Sequence, residues 1–344
     1  MLLRADNIVI ACGGRPCHLP LPGCAALCVT SDDLFSLRHP PGKTLVIGAS
    51  YVALECAGFL RELGYETHVM MRSEPLRGFD RQMAQHVLDH LKSLGTVVLR
   101  GTPSRFESAE HGGVLVTWDV ADGGDVTQGA YDTVLLAIGR TFDIEALGLA
   151  SAVVSYSASG KIPTVRDQTN VPHIYAIGDV SVAPHCELTP VAAMAGRLLA
   201  KRLFGGGTEH MQYGCVPTAV FTPLEYAHVG PSEEDARATY ANVEVYHAQI
   251  APLEWAIPDR DAAHCYAKAI CVATDGASSA RVVALHLCAP NAAEIMQGFA
   301  VAIQCGLTKT QLDSAIGIHL TVAESLTALH VTKSSGAPVR RMGC

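Results

Sequence analysis

From Lys43 to about Asp143 the chain alternates short apolar runs with longer segments whose apolar residues recur at helical spacing. Short apolar runs indicate buried strands, and the helical spacing indicates amphipathic helices. The predicted elements, in chain order, are strand Leu45–Ile47, helix Val52–Leu63, strand Thr67–Met71, helix Arg81–Leu94 and strands Val97–Leu99, Ser104–Ser108, Gly113–Val120 and Thr133–Ile138. This alternation is typical of an α/β domain with a parallel, doubly wound sheet and an antiparallel insertion.

A second pattern begins after the glycine run Gly205–Gly207. Strand-like segments there follow one another with turns between them, and two helical stretches come last. These segments are Val216–Thr222, Tyr226–Gly230, Val243–Ile250, Cys265–Thr274, Val282–Cys288, Ala292–Cys305 and Lys309–Ile316. We expect an antiparallel sheet with helices, which is a separate α+β domain.

Two similar strand endings flank the alternating region. Ile8–Gly14 and Val134–Arg140 are both apolar runs that lead into glycine. A strand this apolar requires cover on both faces, yet only a few residues precede the first one. We therefore expect one doubly wound domain interrupted by another, with the chain starting inside the first.

Composition narrows the class of protein. Of 344 residues, 49% are hydrophobic and 17% are charged, which is ordinary for a globular protein. The net charge of −8 provides no basic surface for nucleic acid or anionic lipid. No apolar run is long enough to span a bilayer, so we expect neither nucleic-acid nor membrane partners.

The 12 cysteines lack the spacing of a disulfide framework, and no secretory segment is present, which together predict a reducing compartment. Cys12 and Cys17 have the gap of some redox pairs, but they lie across a Gly-Gly turn rather than on a helix. Cys24 and Cys28 resemble half of a metal site without a second half. We interpret both pairs as structural and predict no metal site.

The first strand–helix turn of the alternating region carries a weakened dinucleotide motif, Gly48-x-Ser50-x-x-Ala53. Glycine permits the sharp turn, and the small residues let the helix approach the strand. The N–H groups of the first helical turn then face a pyrophosphate. The alternative is a plain turn of any doubly wound sheet.

The residues after the next strand favour a phosphorylated dinucleotide. In an NAD site an acid would stand at the end of Glu66–Met71, but Arg72 and Arg77 follow instead. Two guanidinium groups suit a doubly charged 2′-phosphate. The alternative is a pair of solvated surface arginines, and we favour NADPH because of the preceding turn.

Candidate reacting groups lie later in the chain. Asp179, beside Gly178 at the end of an apolar run, can bind a ribityl hydroxyl, although Gly-Asp is also a common turn. Thr321 and Glu324 have the spacing of a capping box. Glu324 could instead orient His319 for proton transfer to and from a thiol.

The last residues, Thr332–Cys344, are polar and terminal, so we expect a mobile arm. An arm that ends in a thiol can carry electrons from a buried dithiol to a bulky protein substrate. The alternative is that Cys344 is simply an exposed cysteine.

Several strings resemble the glutathione-reductase-like flavoproteins, and among these the large, animal-type thioredoxin reductases most. The strings are Gly48–Gly58, Arg72–Asp80, Ala137–Arg140, Tyr175–Asp179, Glu187–Pro190, Phe221–Tyr226 and Pro252–Trp255. The resemblance covers nearly the whole chain. It implies FAD and NADPH as cofactors, thioredoxin as a partner, and a homodimer.

The resemblance also implies roles for individual residues. Arg72 and Arg77 would hold the 2′-phosphate, and Tyr51 would move to admit the nicotinamide. Glu55 would pair with a lysine near the flavin. The residues that the resemblance and the motifs together assign to cofactor binding are Gly48, Ser50, Tyr51, Ala53, Glu55, Arg72, Arg77, Gly139, Gly178, Asp179, Glu187, Leu188 and Thr189.

The same resemblance implies the catalytic groups. His319 would be the general acid/base and Glu324 its orienting acid, both acting on the disulfide of the opposite subunit. Leu320 stands where many members have proline. The family ends in Gly-Cys-selenocysteine-Gly and this chain in Gly343-Cys344, so a UGA codon after Cys344 that is read as a stop would give this end.

The resemblance divides the chain into five regions. It implies a remnant of an FAD domain (1–41), an NADPH domain (42–143), the rest of the FAD domain (144–210), an interface domain (211–330) and a redox tail (331–344). The N-terminal FAD motif, the flavin-proximal cysteine pair and the lysine partner of Glu55 have no counterpart here. We therefore expect an inactive fragment of a thioredoxin reductase, cytoplasmic or alternatively mitochondrial.

Two other functions remain open at this stage. A glutathione reductase or another reductase of low-molecular-weight disulfides would share most of these motifs but lack the Gly-Cys arm. A non-catalytic NADPH-binding and dimerising protein would retain the dinucleotide turn without flavin.

Overall fold

The computed structural model describes residues 3–143, 145, 147–182, 187–273 and 280–343. The chain forms two compact units. The first unit comprises Met1–Cys17 and Gly139–Val216, and the second comprises His18–Ile138 and Pro217–Cys344. Each is described separately below.

The strands and helices are numbered along the chain. The strands are β1 (Ile8–Ile10), β2 (Arg15–Pro16), β3 (Val29–Thr30), β4 (Thr44–Ile47), β5 (Thr67–Met71), β6 (Val97–Ser108), β7 (Val114–Val120), β8 (Val126–Tyr131), β9 (Thr133–Leu136), β10 (Arg140–Thr141), β11 (Ile174–Ala176), β12 (Thr218–Val220), β13 (Tyr226–Val229), β14 (Val243–Ala251), β15 (Tyr266–Val272), β16 (Arg281–Cys288) and β17 (Arg341–Gly343). The helices are α1 (Cys24–Leu27), α2 (Ser31–Leu34), α3 (Tyr51–Glu62), α4 (Arg81–Ser93), α5 (Thr189–Phe204), α6 (Glu233–Thr239), α7 (Leu253–Ala256), α8 (Ala292–Gln304), α9 (Lys309–Ser314) and α10 (Glu324–Thr327). Within the described part of the chain, no helix combines the length and the apolar character that a bilayer crossing requires.

The first unit is built on a short parallel pair, β1 with β11, and an antiparallel pair, β2 with β10. Its core contains Ile10, Phe142, Leu149, Val154, Ile162, Ile174, Ala176 and Val180. The sequence predicts cover on both faces of β1, but Ile8 and Val9 are 44% and 46% exposed. Among the described strands only β11 pairs with β1, so much of its surface has no neighbour.

The second unit contains a seven-stranded sheet in the order β3-β9-β4-β5-β6-β7-β8. The strands from β3 to β6 run parallel, and β7 and β8 continue the sheet antiparallel. Strand β4 lies between β5 and β9, so the chain moves to opposite sides of β4 in its two crossovers. That arrangement is a topological switch point, where doubly wound sheets bind ligands.

Two details of this sheet differ from the sequence prediction. The predicted strands Val97–Leu99 and Ser104–Ser108 form one strand, β6, whose register shifts between Pro103 and Arg105. A bulge accommodates proline because no ladder N–H is needed there. Strand β3 pairs with β9, so the segment from His18 joins the second unit instead of the predicted first domain.

Cys24 and Cys28 illustrate why that segment joins this unit. Both side chains are buried in a core with Leu45, Met70 and Phe106. Burial, together with the neighbouring Cys24, raises the pKa of the Cys28 thiol to about 12. The thiol is therefore held protonated, as expected for a structural cysteine.

A six-stranded sheet in the order β12-β13-β16-β15-β14-β17 completes the second unit. It is antiparallel except for β17, which adds in parallel to β14, with Ile250 opposite Met342. The sequence predicted a mobile arm at this place, whereas Arg341–Gly343 form an edge strand. The arm's backbone pairs with the otherwise open edge of β14, which a composition argument does not anticipate.

Candidate dinucleotide and redox sites

Gly48 closes the turn between β4 and α3. Its φ is +135°, and a Cβ at this position would lie 2.2 Å from the carbonyl oxygen of Ala137. Any side chain would therefore clash with the end of β9. Ser50 also approaches this carbonyl, donating a hydrogen bond from Oγ at 3.4 Å. The predicted glycine turn is thus packed tightly against the neighbouring strand.

Helix α3 begins directly after this turn, at Tyr51. Ala53 is fully buried, so a small residue lets the helix approach the sheet, as the sequence predicted. The backbone N–H groups of a first helical turn have no acceptors within the helix. Such N–H groups are able to bind an anion, and at the switch point of the sheet they fit a pyrophosphate.

The loop that carries Arg72 and Arg77 is fixed to this turn by Leu76. Leu76 is fully buried and has a φ of +45°, and its N–H donates to the carbonyl of Ala49 at 2.8 Å. Arg81 donates to the carbonyl of Leu76, also at 2.8 Å. Neither residue was identified from the sequence, because a leucine in the left-handed region has no local signature.

Arg72 and Arg77 are both exposed, and neither has a carboxylate partner within the described part of the chain. Leu76 holds their loop against the turn between β4 and α3. Arg72 and Arg77 therefore both lie on the segment next to this turn. The residues present therefore fit NADPH: a pyrophosphate at the start of α3 and a 2′-phosphate at the arginines.

Glu55, on α3, has a backbone partner in the structure. Its carboxylate accepts a hydrogen bond from the N–H of Phe221 at 2.8 Å. Burial raises the pKa of Glu55, and this hydrogen bond only partly offsets the effect. The lysine partner that the resemblance implies is not among the contacts of the described residues, so Glu55 here joins α3 to the segment after β12.

The candidate flavin residues lie in the first unit. Gly178 has a φ of +72° and precedes Asp179 at the end of β11. Glu187 pairs with Lys161 at 2.6 Å, and Leu188 and Thr189 begin α5. The carbonyl of Gly139, whose φ is +116°, accepts the N–H of Cys17 at 3.0 Å.

The surroundings of the Asp179 carboxyl group indicate whether the end of β11 fits a flavin. Burial, followed by the nearby Glu187, raises the pKa of its carboxyl group. No described residue donates a hydrogen bond to it, so its oxygens can accept hydroxyl groups of a polyol. The residues present fit the ribityl chain of FAD.

His319 and Glu324 form the predicted pair in the second unit. The distance between His319 Nδ1 and Glu324 Oε1 is 3.3 Å, and the imidazole is 72% exposed. Thr321 Oγ accepts the N–H of Glu324 at 3.3 Å, so half of the capping box is formed, although α10 itself begins at Glu324. The His319–Leu320 peptide bond is cis.

A cavity of about 700 Å³ lies beside this pair. It is lined by Glu324 and Leu320, by the end of β14 at Ile250, and by Arg341 and Met342 of the arm. The cavity therefore brings the carboxylate of the pair and the C-terminal strand to one place. Cys344, the third predicted catalytic residue, lies outside the described residues.

Comparison with known proteins assigns the chain to a family. Residues 2–196 match the pyridine nucleotide-disulphide oxidoreductases, and residues 216–330 match the dimerisation domain of the same family. The chain belongs to this family and is a flavoprotein disulfide reductase, with FAD and NADPH as the implied cofactors. The predicted fold class and cofactors are thereby confirmed.

One relative narrows the class further. The chain is 50% identical over 352 residues to thioredoxin reductase SEP1 of Emiliania huxleyi. The alignment covers 99% of this chain and 70% of that protein. The chain is thus homologous to a thioredoxin reductase along nearly its whole length.

Proposed function

We propose that this chain belongs to an NADPH-dependent, homodimeric thioredoxin reductase of the large, animal-type class. Three features support the proposal: the likeness to SEP1, the paired His319 and Glu324, and the arginine loop beside the dinucleotide turn. The Gly343-Cys344 end resembles the Gly-Cys of the selenocysteine-containing members.

The bound cofactors would supply hydride transfer from NADPH and two-electron transfer through FAD to a dithiol, and the C-terminal arm would pass these electrons on to thioredoxin. The residues of this chain bind the nucleotide and exchange the proton. Arg72 and Arg77 bind the 2′-phosphate, and the start of α3 binds the pyrophosphate. His319 faces Glu324 through Nδ1, so Nε2 is the nitrogen that exchanges a proton with a thiol.

The surface around His319 supports a homodimer. Ile316, Ile318 and Leu320 are 98%, 75% and 51% exposed. A cluster of exposed apolar side chains indicates a protein interface, and the matched dimerisation domain includes all three residues. In a dimer joined at this surface, His319 would act on the disulfide of the partner subunit.

The single observation that carries the cofactor assignment is the position of the two arginines, so their replacement is the test. Arg72→Gln with Arg77→Gln should weaken binding of 2′,5′-ADP by about a hundredfold, because two charge-assisted contacts are lost. Binding of 5′-ADP, measured by calorimetry in parallel, should change little.

The matched control is Arg105→Gln, which removes an exposed arginine that pairs with Glu107 on β6. Its affinity for 2′,5′-ADP should equal that of the parent chain. Unchanged discrimination between the two nucleotides in the double variant would refute the NADPH assignment.

A further inference from the structure

We infer that Arg100 is a third residue that determines specificity for the phosphorylated dinucleotide. The inference deepens the proposed function and rests on it. Arg100 lies on β6, away in sequence from the motif arginines, and nothing in the sequence pattern marks it. Its place in the sheet is what brings it to the loop.

The register of the parallel sheet places Arg100 beside the loop. Arg100 is opposite Met71 in the β5–β6 pair, and neighbouring strands lie about 5 Å apart. Arg72 is the next residue after Met71. The backbones that carry these two arginines are therefore adjacent, although 28 positions separate residues 72 and 100.

One hydrogen bond fixes where the guanidinium of Arg100 lies. Nη1 donates to the carbonyl oxygen of Ser73 at 2.9 Å. Ser73 directly follows Arg72 in the loop, so the hydrogen bond holds the exposed guanidinium group of Arg100 beside the loop. Leu76 anchors the same loop to the turn at Ala49. The loop is therefore held at Ser73 and at Leu76.

The remaining donors of Arg100 are available to a ligand. A guanidinium group has five N–H donors. The contact with Ser73 uses one N–H of Nη1. No carboxylate pairs with Arg100 within the described part of the chain, and the acid of the loop, Glu74, forms no ion pair there either. Arg72, Arg77 and Arg100 together give three cations around one loop.

Three guanidinium groups around one loop fit a phosphate dianion better than a hydroxyl pair. Arginine binds phosphate oxygens through charge-assisted hydrogen bonds. A ribose 2′-hydroxyl group carries no charge to attract them. Arg100 therefore contributes to the choice of NADPH over NADH, in addition to bracing the loop.

The test uses the full chain and measures binding of 2′,5′-ADP and 5′-ADP by calorimetry at low and at physiological salt. Arg100→Gln should weaken binding of 2′,5′-ADP about tenfold and leave 5′-ADP unchanged. The salt dependence of 2′,5′-ADP binding should also become shallower, since one cation is missing. Arg100→Lys should recover part of the affinity because it keeps the charge.

The outcomes separate this inference from the function on which it rests. If Arg72→Gln with Arg77→Gln weakens 2′,5′-ADP binding but Arg100→Gln does not, only the role of Arg100 is overturned. Equal losses for both nucleotides in Arg100→Gln would reduce Arg100 to a structural brace and overturn its role in specificity. If neither variant affects 2′,5′-ADP, both the inference and the NADPH assignment fail.

Discussion

Two residues with unusual backbone conformations shape the proposed dinucleotide site. Gly48 turns the chain where a side chain would clash with Ala137, and Leu76 holds the arginine loop with a positive φ and a fully buried side chain. The glycine could be predicted, since the motif requires it. The leucine could not, because only tertiary packing offsets the cost of that conformation in a non-glycine residue.

Gly48→Ala tests the close approach at the residue scale. The added Cβ would lie 2.2 Å from the Ala137 oxygen, so β4 or β9 must move. We expect an unfolding free energy lower by about 1–3 kcal/mol and weaker binding of 2′,5′-ADP. Urea unfolding and calorimetry measure the two effects.

The control for that variant is Gly298→Ala, in α8. Beyond its chain neighbours and the backbone of α8 itself, no atom lies within 4 Å of a Cβ built at Gly298. Alanine is a better helix former than glycine, so stability should rise by about 0.5–1 kcal/mol. Equal effects of the two substitutions would contradict the clash at Gly48.

At the scale of elements, the C-terminal strand is the largest departure from expectation. Polar, terminal residues usually remain mobile, yet β17 pairs with β14 along Gln249–Ala251. Gly343 makes this possible, because a Cβ there would lie 2.9 Å from both the oxygen and the Cβ of Ala251. The arm thus has a defined place on the edge of the sheet.

Gly343→Ala should release this strand. Arg340 and Arg341 are exposed, and cleavage by a protease requires the peptide to leave the sheet. We expect trypsin to cleave after Arg341 severalfold faster in the variant, as followed by mass spectrometry. Gly214→Ala is the matched control, since nothing lies within 4 Å of its added Cβ; identical cleavage in all three proteins would count against a docked arm.

At the scale of the second unit, a buried ionic cluster joins the nucleotide-binding sheet to the interface domain. Lys268 of β15 is fully buried and lies 2.8 Å from Asp80, which caps α4, and 2.9 Å from Glu233 of α6. Lys333, at the base of the arm, contacts the same glutamate. Burial alone would raise the pKa of Glu233, but hydrogen bonds from Lys333 and Lys268 lower it to about 2.

Lys268→Met should be strongly destabilising. The substitution leaves the fully buried Asp80 without its paired cation, while Glu233 keeps Lys333. Removing the partner of a buried carboxylate costs about 3–5 kcal/mol. Urea unfolding at pH 7 measures this loss. The control Lys92→Met removes the exposed pair with Asp89 and should cost less than about 1 kcal/mol; similar losses for both variants would mean that the buried cluster contributes no more than a surface pair.

The pH dependence of stability should report the buried histidines of the second unit. Burial, with His264 nearby, lowers the pKa of His90 from 6.5 to about 4. Folded His90 therefore stays neutral while the unfolded chain takes up a proton. The contribution of neutral His90 to the free energy of unfolding is complete above pH 6.5, and it is lost as the pH falls towards 4.

His90→Phe should flatten the curve of unfolding free energy against pH in that window. The change in slope should be at most about 1.4 kcal/mol per pH unit, the value for one proton. Trp255, which stacks on His90 at 5.8 Å, would pack against the new ring. The exposed His111→Phe serves as control, and equal slopes for both variants would exclude His90 as the titrating group.

The sequence alone determined the alternating strands and helices, the glycine turn at Gly48, the arginines at 72 and 77, and the proximity of His319 to Glu324. Each of these depends on residue type and short spacing along the chain. The tertiary structure decided that β3 joins the nucleotide sheet, that β17 pairs with β14, and that Leu76, Arg100 and Lys268 meet their partners. Those contacts join residues distant along the chain, and packing and strand register, which local pattern does not encode, bring them together.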